Sequence, residues 1–378
     1  MKKIIIFSFL AALLVGCGRT TGNGNGNAEN GNDTARVSLK YAQGFSVEEK
    51  QGFRLLEIKN PQGADTSAVH RFALVPRGTS PDGIPAGYTV IETPVKSVIC
   101  MTTQQLGGFI KLGALDFVKA IASAKRLFDK DLKQRIKDKR ILKIGKEGNF
   151  DEELVMAVQP DVILISLSKR GGFDKLRDTG SPLVPYMGYE EVSPLAQAEW
   201  IKFVGLLTGK TAEANAIFAE VERNYNNTKA MLPKYETMPW VLYGKMHGDN
   251  WYAMGGKSFI AEIVDDAAGQ YFMLDDERTG GVFIDFEVVY SKAENADFWI
   301  IQNKEKEPFS YALHAEEDPR YADFKAFKQK KVVCCDINNT PLNELSAMEP
   351  DILLKDFIKA FHPEVLKDHT PKYYKLIE

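Results

Sequence analysis

Cysteine and histidine are both scarce in this 378-residue chain, at four and five residues. Cys100, Cys334 and Cys335 lie in or beside apolar β-like runs, where a buried thiol is the commoner outcome. An oxidising compartment would still permit Cys100 to pair with one of the other two. Of the histidines, His70 falls among early strands and His362 and His369 near the end, leaving His247 and His314 to share a site. Two are too few to cage a bare zinc or manganese ion, so no metal ligand is assigned and no cofactor is expected. Catalytic signatures are also missing, with no GxSxG, GxxxxGK[ST] or HExxH. That weakens the case for an α/β enzyme without removing it. The formal charge is only −3, which offers nucleic acid no general attraction.

The chain opens MKKIIIFSFLAALLVGC, two lysines followed by an apolar run that stops at Cys17. The run is well short of the roughly 20 residues that span a bilayer. It has the form of a bacterial lipoprotein signal, residues 1–16, with cleavage before a lipid-bearing Cys17. Residues 17–35 are rich in Gly, Asn and Thr and predict a flexible leash. The mature chain is then tethered at the cell envelope, facing the periplasm. Loss of Lys2 and Lys3 takes the formal charge from −3 to −5.

With 44% apolar and 26% charged residues, the remainder is ordinary globular protein of a length for two domains. Residues 36–93 alternate apolar and polar between turn clusters and predict antiparallel strands. After them strands alternate with helices: VKSVICM, RILKIG, DVILIS and PLVPYM, then WVLYGKM, QYFML, DFWIIQN and KVVCCDI. That pattern implies parallel strands with right-handed crossovers. A shift of 136 residues lays FDEELVMAVQPDVILI on FEVVYSKAENADFWII, so that Asp161 meets Asp297, which points to a duplicated half. Between the halves Thr211–Leu232 predicts one long helix. Phe218 joins Ile217, Val221 and Tyr225 in an apolar stripe, with Thr211 as cap and Pro233 as stop.

The lipobox, Pro94-Val95-Lys96-Ser97-Val98, Phe150-Asp151-Glu152-Glu153-Leu154 leading to Gln159-Pro160-Asp161-Val162-Ile163, and Leu207-Thr208-Gly209-Lys210 resemble the class III substrate-binding proteins of iron-complex and cobalamin ABC importers. Tyr41-Ala42-Gln43-Gly44-Phe45, Pro350-Asp351-Ile352-Leu353 and the terminal Tyr373 and Tyr374 resemble the Bacteroidetes lipoprotein branch. The resemblance implies two Rossmann-like lobes, residues 36–210 with added β-strands and 233–378, joined by a rigid bridging helix, 211–232. It further implies a monomer that holds a ferric siderophore, or haem or cobalamin, in the interlobe cleft and docks on an inner-membrane permease. A carboxylate from each lobe would make that contact, with Asp174 and Asp265 as candidates.

Loops leaving the carboxyl ends of parallel strands converge on the ligand crevice. That rule selects Thr103 with Gln104, Lys146, Arg170, Tyr189, His247, Trp251, Tyr252, Arg278, Gln302 with Asn303, and Asn338. Cationic donors and aromatic walls suit an oxygen-ringed, often anionic chelate. Trp251 and Tyr252 are placed on the cleft because glycines and polar residues surround them in HGDNWYAMGG. His247 and Tyr189 facing each other would give haem iron two axial ligands.

Overall fold

The computed structural model describes residues 33–62, 69–122, 124–146, 149–167 and 174–378. The segment 1–16, Cys17 and Arg170 lie outside them, and of Lys146 and Asp174 only the backbone is described. The architecture is α/β, with two parallel sheets and an N-terminal, mainly antiparallel sheet.

That first sheet runs in the order β1 (Phe45–Lys50), β2 (Phe53–Ile58), β3 (His70–Pro76), β4 (Thr89–Thr93). β1, β2 and β3 pair antiparallel, but β4 joins β3 in parallel. The cause is the long connection 77–88, which carries the chain back to its starting edge where a tight turn would have reversed it.

The second sheet holds β5 (Val98–Cys100), β6 (Val118–Ile121), β7 (Leu142–Lys143), β10 (Val162–Ile165) and β11 (Leu183–Pro185). The short hairpin β8 (Gly145–Lys146) and β9 (Asn149–Phe150) stands apart. Strand order is β11-β10-β5-β6-β7, all parallel. Both faces are covered, as apolar runs such as VILI require. Val98 and Cys100 join a core with Phe109, Trp200, Phe203 and Leu207, while Ile99 and Met101 face Ile144, Val155 and Leu176.

The second half repeats the plan with β12 (Trp240–Tyr243), β15 (Gln270–Tyr271), β17 (Phe298–Asn303), β18 (Val332–Asp336) and β19 (Lys375–Ile377), in the order β15-β12-β17-β18-β19. Only β19 runs antiparallel. Beside it β13 (Lys245–His247), β14 (Asn250–Met254) and β16 (Gly281–Ile284) form an antiparallel sheet where the sequence reads as loop.

Asp161 and Asp297, matched by the 136-residue shift, do the same job. Each precedes the strand that pairs in parallel with the first strand of its sheet, β10 with β5 and β17 with β12. The Asp161 carboxylate accepts from the backbone N–H of Lys96, just before β5, and that of Asp297 from Trp240, the first residue of β12, at 2.9 Å. Each also meets a cation, Arg77 or Lys325.

The long helix spans Thr211–Lys229, so it ends three residues before Leu232. At about 1.5 Å per residue it is roughly 28 Å long. Ala214, Phe218 and Val221 pack into the first half's core and Tyr225 into the second's. Thr211 is not the cap. It is the first helical residue, fully buried, with its hydroxyl on Asp33. Among the described residues no helix is long and apolar enough to cross a membrane.

Candidate functional site

Each parallel sheet reverses its winding at a switch point, between β5 and β10 in the first and between β12 and β17 in the second. There the loops at the carboxyl ends diverge and leave a crevice. A cavity with about 800 Å³ of open space, part of it continuous with solvent, is lined from both halves. Gln104 follows β5, Tyr189 follows β11, and Gln302 stands near the end of β17. The enclosed part is only about 220 Å³, below the range of pockets that hold drug-sized ligands.

Its walls are apolar and its polar groups neutral. Phe259 and Ile260 begin the helix Phe259–Asp266, while Leu342, Ala347 and Leu353 come from the chain beyond β18. The polar residues are Gln104, Tyr189, Gln197, Gln302, Asn343, Ser346 and Tyr374. Gln302 Nε2 donates to the Tyr374 hydroxyl at 3.0 Å, and Gln197 Nε2 to the Glu191 carbonyl at 3.0 Å. The Tyr189 hydroxyl is buried beside Ser166 without a well-formed hydrogen bond. Burial pushes its pKa up, so at neutral pH it is a phenol that donates.

The wall from Leu342 to Ala347 also ties the halves together. Between these residues Glu344, 2% exposed, accepts from the backbone N–H groups of Phe128 at 3.1 Å and Asp129 at 3.0 Å. Burial pushes the Glu344 carboxyl up, and those two N–H groups oppose the shift. Its carbonyl packs on Gly107, where an added Cβ would come within 2.6 Å. Nearby, Arg126 Nε donates to Asn338 Oδ1 at 2.9 Å and Lys111 pairs with Glu349 at 2.9 Å.

Of the predicted site residues with described side chains, only Tyr189 lines this cavity, joined by its associates Gln104 and Gln302. Thr103 is half-buried in the 3-10 turn Thr103–Gln105, next to Gln104. Trp251 does not reach the crevice. Alternation along β14 turns it inward, 0% exposed, against Trp299, Tyr321 and Phe324, with Nε1 donating to the Tyr243 carbonyl at 3.0 Å. Tyr252 points the other way and is exposed, with Phe283 and His247 ranged beside it. His247 is not among the residues lining the cavity with Tyr189, so the axial pair is not assembled there. Arg278 is exposed and held by Asp276, with Nη2 at 2.6 Å. Asn303 is fully buried and clips its own loop, donating to the Glu307 carbonyl at 2.8 Å. Asn338 accepts from Arg126 across the halves. Asp265 is exposed, whereas Asp266 is buried under Tyr225 and Lys229.

The missed wall residues are Pro194, Gln197, Phe259 and the stretch from Leu342 to Leu353. The strand-end rule reaches Asn338, but the wall begins a few residues further on, after Pro341.

The crevice at the two switch points is lined, among the described residues, by neutral polar and apolar groups. The chain matches the family described as periplasmic binding protein over residues 98–338, well over half its length, and it belongs to that family. An uncharacterized lipoprotein of Methanocaldococcus jannaschii is 25% identical over 301 residues, covering 76% of this chain and 70% of the relative. Two solved structures share the fold. One, described as an ABC-type Fe3+-hydroxamate transport system of Saccharomonospora viridis, has a TM-score of 0.55 at 17% identity, covering 71% of this chain and 94% of its own. The other, a periplasmic heme binding protein of Pseudomonas aeruginosa, has a TM-score of 0.56 at 15% identity, covering 74% and 97%.

Proposed function

We propose that the protein is the lipid-anchored solute-binding component of an ABC importer, capturing a metal chelate, foremost a ferric siderophore. The observation that carries this is the cavity at the carboxyl ends of both parallel sheets, lined from both halves. The helix Thr211–Lys229, packed in both cores, serves as the strut between lobes 36–210 and 233–378, so closure on the ligand is modest. Cys17 carries the lipid, and the residues between it and Asp33, which Arg54 and Thr211 hold to the body, form the leash. That reading is supported by the signal-like start and by the lipoprotein among the relatives. We further propose that the protein sits at the envelope, faces the periplasm and belongs to a Bacteroidetes-type branch. The exposed Asp265, with Asp174 from the other lobe, docks on the permease.

Haem or cobalamin is the second reading, favoured by the relative described as binding heme. Tyr189 lines the cavity without His247, so the axial pair proposed for haem iron is not assembled there. Titrating the purified mature protein with ferric siderophores, haemin and cyanocobalamin, followed by protein fluorescence and visible absorbance, tests both readings. Saturable binding of a ferric siderophore supports the proposal. Tight binding of haemin alone transfers the assignment to haem, and no binding of any of these removes the chelate reading.

A further inference from the structure

We infer that the face of the first half built from the helix Lys130–Lys137, the turn after it and the edge strand β7 rests on an anionic phospholipid surface, with the crevice turned away from the lipid. The choice of a lipid surface rests on the lipid anchor proposed above, and nothing in it depends on what the crevice holds.

Charge is unevenly spread along the chain. Residues 116–143 carry ten Lys and Arg against four Asp, a formal +6 in a chain of −3, whereas residues 245–318 carry six Lys and Arg against sixteen Asp and Glu. The four acids of the basic stretch are already occupied. Asp129 caps the helix by accepting from the Leu132 N–H at 2.7 Å, Asp116 and Asp131 both pair with Arg135, and Asp138 lies 3.6 Å from Arg140. Arg135 first, then Lys119 and Arg140, hold the Asp116 carboxyl below its ordinary range, which shows how cations crowd that end of the patch. Lys130, Lys133, Lys137, Lys139 and Lys143 are exposed and make no ion pair with an acid among the described residues.

The fold puts these lysines on one side. Leu132 is buried in the first half's core and Ile136 packs against it, so Lys130, Lys133 and Lys137, at i, i+3 and i+7, share the opposite, wet face. Lys143 pairs with Ile121, which faces the same core, so it projects to the helix's side at the open edge of the sheet. Lys119 opens β6, and Lys139 and Arg140 come just before β7, where the parallel strands begin. The chain enters the body at that same edge. Asp33 is held by Thr211, two residues after Gly209, and Gly209 packs on Pro94 ahead of β5, where an added Cβ would come within 2.6 Å of the Pro94 ring. The crevice lies at the other end of the strands, so a body lying on its basic edge keeps the crevice open to solute. The run from Cys17 to Asp33 reaches roughly 50 Å at most, so a tethered body meets the membrane continually. Each cation brought to an anionic lipid surface strengthens attachment about fivefold.

The chain from Gly18 onward, without lipid, is floated with vesicles of phosphatidylcholine alone or mixed with phosphatidylglycerol. At low salt the wild type is expected to bind the mixed vesicles at least about tenfold more tightly than the neutral ones, and added salt should erase the preference. Lys137→Glu, Lys139→Glu and Lys143→Glu together should weaken that binding at least about tenfold at an unchanged melting temperature, while the same three positions changed to Arg should bind like wild type. Lys292→Glu, Lys304→Glu and Lys306→Glu together, an equal charge change on exposed residues of the second half, should stay within about twofold of wild type. No preference for phosphatidylglycerol, unchanged binding in the first triple variant, or equal weakening in the second overturns the inference. So does tighter binding of a DNA duplex than of the mixed vesicles, which would make the face a nucleic-acid surface. Salt-sensitive self-association without vesicles, abolished by the first triple variant, would overturn it in favour of an interface between copies. None of these outcomes touches the crevice, so the importer reading stands through each of them.

Discussion

Removing the Glu344 carboxylate should loosen the junction between the halves. It accepts two backbone N–H groups from the opposite half while almost completely buried. Hydrogen bonds to a charged acceptor contribute about 1.5 kcal/mol or more each, giving roughly 3 kcal/mol for the pair. Burying the charge takes some of that back, as the raised pKa of the carboxyl records. Phe128 and Asp129 are half-buried, so water can reach part of the vacated N–H surface. Glu344→Ala should therefore cost about 2 kcal/mol, and Glu344→Gln, which keeps one acceptor oxygen, about 1 kcal/mol. For a unit of roughly 350 residues the Ala loss lowers the melting temperature by about 3 °C. A group whose folded pKa is raised stabilises most below its ordinary range and less as pH rises through the folded value. The Ala deficit should then be larger at about pH 4 than at about pH 7.5. Urea unfolding of the three proteins at both pH values is the assay. An Ala variant within about 0.5 kcal/mol of wild type, or a Gln variant less stable than Ala, would refute the reasoning.

His314 is 4% exposed, neither ring nitrogen has a hydrogen-bond partner among the described residues, and burial holds its pKa down against the opposing pull of Glu317, 3.8 Å from Nε2. The folded state keeps it neutral while the unfolded chain protonates it below about pH 6.5, so its contribution is present above that value and lost as pH falls. His314→Leu should accordingly gain melting temperature relative to wild type at about pH 5.5 compared with about pH 7.5; an equal difference at both counts against it. Trp251→Phe should leave ferric siderophore affinity within about twofold in a calorimetric titration yet cost about 1–2 kcal/mol in urea unfolding, since it loses packing and one buried hydrogen bond. A tenfold loss of affinity would put Trp251 back on the crevice. Burial pushes the Cys334 and Cys335 thiols up to about 12 and Cys100 higher still. None of the three should react with a thiol reagent at neutral pH until denaturant is added.

The parallel strands were legible because buried runs such as VILI and VVCC are short, β-branched and bounded by turn residues. The duplication was legible through Asp161 and Asp297, whose carboxylates each take the N–H at or just before a first strand. The ends of the long helix were less so. Thr211 has a capping side chain, but its hydroxyl goes to Asp33, far away in sequence. Trp251 was misplaced because its glycine-rich surroundings suggest a loop. In the fold those glycines allow close approach to strands instead: a Cβ on Gly244 would come within 2.0 Å of the Tyr252 carbonyl, and one on Gly255 within 2.0 Å of the Arg278 carbonyl. The crevice wall from Leu342 to Leu353 and at Tyr374 was unreadable for a related reason. Local pattern marks these residues as helix or tail, and only the packing of the chain's last forty residues brings them beside Gln104 and Tyr189.

The final strand has a practical consequence. Lys375–Ile377 lies along Val332–Cys334, and the tail leading to it is pinned by Asp356, which accepts the N–H groups of Tyr373 and Tyr374. Shaving off those few residues, or fusing a bulky tag that unseats them, would uncover a straight apolar rim ready to be copied by a neighbouring molecule. Such a trimmed protein would clump before it melted, and light scattering on a version shortened at Pro371 would reveal it.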